Sequence, residues 1–250
     1  MDKLSICKEF QQTYEFFKDL KCFAWNNIIE HPDFIPTLAS PVWEEHFTFA
    51  NQNLDKQSYK ILRNKFENKT DIEKLSDVFA ELLGACFLFK NIHPQPIIEF
   101  IKEKKDRTPD IKISIRSKNI SICVEVTRMS SNLSANDKAK IQELSQNQGK
   151  MINVTEFNEK SFNALIDKLR EKKSQFNNCK ADYNIFAVAS GRLSIDSSYF
   201  EDTGTYRNLK NEFQSDVDGI LFFGCRGEKK LFSFNSNLKG LIDNVKYYEK

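Results

Sequence analysis

Asp110 follows Pro109, and fifteen residues later Glu125-Val126-Thr127 ends a run of alternating apolar and polar residues. Ile111, Ile113 and Ile115 fall on one side of that run, Lys112, Ser114 and Arg116 on the other. Ser117-Lys118-Asn119 has the composition of a tight turn. Beyond it Ile120, Ile122, Val124 and Val126 alternate with Ser121, Cys123, Glu125 and Thr127. A period of two is the signature of a strand, so the segment reads as two strands folded back on each other. Antiparallel pairing across the turn sets Asp110 roughly opposite residue 126, next to Glu125, and puts Glu125 and Thr127 on a common face. Carboxylates that converge repel unless positive charge lies between them. Hard oxygen donors at that spacing suit Mg2+ or Mn2+, and such an ion activates water and stabilises charge developing on a phosphoryl group.

The elements that must position these acids are legible around them. Residues 71–90 form a helix, with Thr70 or Asp71 as cap and Leu75, Val78, Phe79, Leu82, Leu83, Cys86 and Phe87 on its apolar face. Glu81 lies near the edge of that face and supplies a third carboxylate. A first strand at 97–104 and the basic turn Lys104-Lys105-Asp106-Arg107-Thr108-Pro109 lead into the alternating pair. The polar segment 129–157 is too long for a simple connection and reads as a functional or disordered loop. The pattern then gives a helix at 158–176, a buried strand at 183–189, a short helix at 206–213, and a hairpin of 217–223 with 230–234 across Arg226-Gly227-Glu228. The fold class is therefore α/β. Residues 1–70, aromatic and interrupted by Pro32, Pro36 and Pro41, read as an N-terminal helical layer without a site of its own, with one helix over Asp55–Glu67. Residues 71–250 form the α/β core with its C-terminal hairpin.

Pro109-Asp110 followed by Glu125-Val126-Thr127, framed by helix, three-strand meander, helix and strand, resembles the PD-(D/E)XK nuclease superfamily over about half the chain. The resemblance implies a restriction-endonuclease-like core that cleaves phosphodiesters, with Mg2+ or Mn2+ held by Asp110 and Glu125 and a further glutamate, here Glu81, from the preceding helix. The family places a lysine two residues after the acid to orient the attacking water and offset phosphate charge, and this chain has Thr127 there. Some members carry that lysine on the following helix. In 158–176 the apolar stripe is Phe162, Leu165, Ile166, Leu169 and Phe176; Lys173 falls inside it and Lys172 on its border. A lysine in an apolar stripe needs a partner, and a carboxylate cluster beneath the helix would supply one. Gln175 is placed to touch phosphate. A second Pro-Asp, Pro32-Asp33, lacks any following strand pair.

Charge distribution fits an anionic partner. Residues 101–180 hold 17 Lys and Arg against 10 Asp and Glu, while the rest of the chain holds 20 against 25. Lys104, Lys105, Arg107 and Arg128 are the expected phosphate contacts, on nucleic acid and by the resemblance double-stranded DNA. Two readings remain open. One is a metal-dependent nuclease. The other is a nuclease-like fold without catalysis that acts as a nucleic-acid- or protein-binding module; a homodimer or a partner-subunit role is compatible with either. Other chemistries find no support. The three histidines, His31, His46 and His93, are scattered, which argues against a zinc hydrolase or a Ser-His-Asp triad. Gly219 to Gly224 is followed by Cys225 where a phosphate-binding loop needs Lys. No two of the six cysteines are close enough for a zinc knuckle, and they read as reduced residues of a cytoplasmic protein. No apolar run approaches the ~20 residues that span a bilayer.

Overall fold

The computed structural model describes residues 10–20, 41–68, 72–102, 108–128, 159–189, 203–223 and 229–248. The basic turn with Lys104, Lys105 and Arg107, the loop 129–157, the caps Thr70 and Asp71, Pro32-Asp33 and the hairpin turn 226–228 lie outside the described residues.

Among the described residues four helices come first: α1 (Gln11–Phe17), α2 (Pro41–Asn53), α3 (Lys56–Glu67) and α4 (Ile72–Asn91). Asp55 caps α3 by accepting from the Ser58 amide at 2.6 Å, which satisfies one of the free N–H groups of the first turn. Then follow β1 (Ile97–Phe100), β2 (Ile111–Ile115), β3 (Ile120–Arg128), α5 (Glu159–Lys172), β4 (Tyr183–Ala189), α6 (Thr203–Phe213), β5 (Gly219–Phe223), β6 (Lys230–Ser233) and β7 (Lys246–Tyr248). The alternation of 111–115 and 120–127 becomes the expected antiparallel pair, Ile111 opposite Val124 and Ile115 opposite Ile120. A 3₁₀ turn over Arg116–Lys118 joins them, with Asn119 in the left-handed region at φ 50°. The strand expected at 97–104 is shorter and pairs antiparallel to β2.

Among the described residues the strands form one mixed seven-stranded sheet in chain order β1 to β7. β3, β4 and β5 run parallel, so each join between them must cross a face of the sheet, and α5 and α6 lie on these crossovers. β5 and β6 make the expected hairpin pairing, and β7 adds parallel to β6.

Side-chain alternation gives the sheet two buried faces, hence three layers. On one face Ile113, Val124, Val126, Ile185 and Leu221 pack with α4 and the N-terminal helices. On the other Cys123, Phe186, Val188, Ile220 and Phe222 pack with Phe162, Leu165 and Leu169 of α5 and Leu209 and Phe213 of α6. The N-terminal helices share the first core. Phe16, Phe17, Phe47 and Phe66 meet largely edge to face, and Phe66 meets Phe79 of α4 at 5.0 Å. The Ser58 hydroxyl accepts the Phe100 amide at 3.2 Å and fixes α3 against β1. Gly84 lets α4 lie close on the sheet, since a Cβ there would stand 3.1 Å from the Phe223 ring. This close approach is one turn from Glu81 and sets the depth of that side chain.

Cys123 of β3 and Cys179 are joined as a disulfide, with Cα atoms 6.6 Å apart. The expectation of reduced thiols is corrected at this pair: the chain after α5 returns to the strand face on which Cys123 points. Cys86 is a free, buried thiol. No helix among the described residues is long and apolar enough to cross a membrane.

His46 of α2 is buried against Trp43, and its Nδ1 donates to the Val42 carbonyl. Burial holds its pKa below the ordinary value, reinforced by Lys90 and opposed by the Val42 hydrogen bond and Glu45. As pH falls, the unfolded chain takes up this proton before the folded one. The stability contributed by neutral His46 is therefore complete above the ordinary value of 6.5 and is lost as pH drops towards the lower folded value. Urea titrations of the wild type and His46→Gln are expected to differ in slope below about pH 6.5, the variant losing less stability per pH unit. Parallel curves would show that His46 does not carry this dependence.

Candidate functional site

The site begins with an unequal pair of strands. β2 ends its pairing at Ile111 opposite Val124, and β3 runs on to Arg128. Main-chain groups of alternate β3 residues on that side lose their strand partner, and buried backbone groups must find another. Asp110, the residue just before β2, donates its amide to the Val124 carbonyl at 3.2 Å and accepts the Val126 amide on Oδ2 at 2.9 Å. The register inferred from the sequence is one residue out: extending the observed pairing of Ile111 with Val124 sets Asp110 opposite Glu125, and its side chain reaches on to the Val126 amide. The Val126 carbonyl accepts from Lys172 Nζ at 2.8 Å, and the Arg128 carbonyl from Lys168 Nζ at 3.2 Å. Side chains thus replace a missing strand, and the gap opens a polar seam through the sheet.

Three carboxylates meet at this seam. Glu125 points to the α5 face and is 1% exposed. Glu81 of α4 is buried on the other face, deeper than the helix edge expected for it, because its position falls between Val78 and Ala85 on the packed stripe. Asp110 sits between them at the strand edge. Two lysines hold the charges. Lys65 of α3 lies 2.6 Å from Glu81 Oε2 and 3.2 Å from Asp110 Oδ1. Lys172 at the end of α5 is ion-paired with Glu125 Oε1. With its amide nitrogen turned to the surrounding acceptors, Gln175 donates to Glu125 Oε2 at 2.6 Å and to the Thr108 carbonyl at 2.9 Å.

The electrostatics follow from burial and proximity. Burial first, then the negative charge of Asp110, push the Glu125 carboxyl above its ordinary range, and Lys172 pulls against them. Burial disfavours the Lys172 ammonium, but Glu125, Asp110 and Glu81 outweigh that and hold it above its ordinary value. Lys65 behaves the same way through Glu81 and Asp110. Lys168 is shifted down, mainly by burial. The Thr127 hydroxyl, on the same face as Glu125, is buried with no hydrogen-bond partner among the described residues, and so is that of Thr108.

The structure therefore brings together Asp110, Glu125, Glu81, Lys172 and Gln175, and it separates Lys173 from them. Lys173 is 3.4 Å from Asp216 and 41% exposed on its side chain. The chain tightens into a 3₁₀ turn over Lys173–Asn178, so the helical phase that put Lys173 within the stripe does not continue past Lys172. Arg128 is half-buried beside Asp77 at 3.4 Å rather than presented outward. Lys65 and Lys168 are the residues that sequence reasoning missed. A signal for Lys65 existed: Ser58, Leu62, Lys65 and Phe66 are the buried positions of α3, so a lysine stands inside its apolar stripe.

Among the described residues no group of three or more His, Cys, Asp or Glu side chains is arranged to hold a metal ion. The available donors are two carboxylates and the Val126 carbonyl. Mg2+ is commonly held by one or two carboxylates, with water and substrate phosphate completing its shell. The Lys172 ammonium is held by two of these groups, Glu125 and the Val126 carbonyl. Carboxylate and carbonyl oxygens are donors of the kind that a hard divalent ion takes. Comparison with protein-family models, with curated proteins and with solved structures gives no match for this chain.

Lys65→Ala would leave Glu81 and Asp110 as adjacent buried anions. It is expected to cost about 3–5 kcal/mol in urea unfolding. Lys65→Met combined with Glu81→Leu should cost less than Lys65→Met alone, because the double variant removes both charges of the close pair. Additive losses would show that the pair is not energetically coupled.

Proposed function

We propose that the protein is a metal-dependent nuclease of the PD-(D/E)XK type that cleaves phosphodiester bonds in DNA. The proposal takes α4, β1 to β3, α5 and β4 as a restriction-endonuclease-like core. The observation that carries the reading is the Lys172 ammonium lodged between the Glu125 carboxylate and the Val126 carbonyl beside Asp110. These oxygens are gathered at the strand edge where the pairing of β2 with β3 ends.

Asp110 and Glu125 would hold Mg2+ or Mn2+, with Glu81 behind Asp110. The ion when bound would supply Lewis-acid activation of water and neutralise the phosphoryl charge. The residues of the chain do the rest. The Val126 amide and Lys65 fix the Asp110 carboxylate from two sides. Gln175 orients Glu125. Lys172 takes the part that Thr127 cannot, offsetting phosphate charge and orienting the attacking water. Preorganised charges of this kind are effective because burial excludes competing water.

A second reading is a silent fold that binds nucleic acid or a protein partner. It is favoured by the same ion pairs, since each carboxylate of the cluster already has a lysine on it.

Plasmid nicking in Mg2+ or Mn2+ separates the two. Activity is expected in the wild type and to fall at least ~100-fold in Asp110→Asn, Glu125→Gln and Lys172→Met. Lys173→Met should stay within about twofold of wild type, as expected for a surface ion pair. Metal-dependent cleavage that survives Asp110→Asn and Glu125→Gln would falsify the site. Retained DNA binding without cleavage by the wild type would favour the binding module.

A further inference from the structure

The two lysines of the cluster are not equivalent. Lys172 comes from the end of α5, its side chain is 25% exposed, and one of its two oxygen partners is a main-chain carbonyl. Its ammonium can swing into the seam and leave its seat to another cation. Lys65 reaches the cluster from α3, is 6% exposed, and bridges two carboxylates. The flanking side chains Leu62 and Phe66 are buried in the aromatic core of the N-terminal layer. Moving its ammonium away would require α3 to separate from α4 and β1.

Occupancy points the same way: the Lys65 ammonium lies 2.6 Å from Glu81 and 3.2 Å from Asp110. A second ion between Glu81 and Asp110 would have to sit where the Lys65 ammonium is.

We infer that Lys65 is a built-in cation that takes the place of a second divalent ion between Glu81 and Asp110, so that the chain binds one divalent ion, at Glu125, Asp110 and the Val126 carbonyl. This rests on the metal-dependent reading above and adds the stoichiometry and the role of the N-terminal layer. That layer is then part of the site: it presents a fixed ammonium to Asp110 and neutralises Glu81.

Calorimetric titration of the full chain with Mn2+ tests this without reference to activity. The wild type is expected to bind one ion. Lys65→Met, which keeps the stem volume and removes the charge, is expected to bind two and to gain more in melting temperature from Mn2+ than the wild type does, because the ion replaces the lost ammonium. Two ions bound by the wild type would overturn the inference while leaving the nuclease reading intact, and this arm does not depend on a variant that folds. One ion bound by folded Lys65→Met, with no extra thermal gain, would also overturn it. No Mn2+ bound by either protein would remove the inference together with the reading beneath it.

Discussion

Three carboxylates cannot share one buried place without positive charge among them. At a separation of 4 Å two like charges cost about 4 kcal/mol at an intermediate effective dielectric, and more as water is excluded. Here the charge comes from opposite sides of the sheet. Lys65 arrives from the N-terminal helices and Lys172 from the crossover helix α5. Lys65 ties Glu81 of its own layer to Asp110 of the sheet, and Lys172 reaches Glu125 of the sheet from the other side. The ion pairs therefore join the three layers, and the cluster is assembled only when all three are in place.

The seam that receives them is a consequence of main-chain accounting. A strand that outruns its neighbour leaves unpaired amides and carbonyls, which inside a protein must be satisfied. Asp110, Lys172 and Lys168 satisfy those of Val126 and Arg128. The same side chains that repair the sheet edge are the charged groups of the site. This economy is why the site lies at the end of β3 and not elsewhere along the sheet.

Much of the fold was legible from local pattern. The alternation on both sides of Ser117-Lys118-Asn119 gave strand identity and the antiparallel pairing. It left the register one residue out, with Asp110 set opposite residue 126 where the observed pairing sets it opposite Glu125. Matching the isoleucine faces, Ile113 with Ile122, is what excludes that slip. Failures came where a side chain's destination depended on another element. Extrapolating a uniform helical phase puts Lys173 inside the stripe and Lys172 on its border, and the 3₁₀ turn that begins at Lys173 breaks that phase. Glu81 was placed at a helix edge because its apolar neighbours on α4 did not reveal a lysine opposite. The pairing of Cys123 with Cys179, 56 residues apart, likewise had no local signature.

What the sequence determined by itself was the set of half-buried surfaces: which residues alternate, which form a stripe, and hence which elements pack. These are properties of period and polarity carried within a few residues. Lys65 shows what was left to tertiary structure. Its position in the stripe of α3 announced that it needed an acid, yet the acids lie 16 and 45 residues away on a helix and at a strand edge. Only the docking of α3 against α4 and β1 brings them within reach, because an ion pair is decided by distance in space and neither partner encodes the other along the chain.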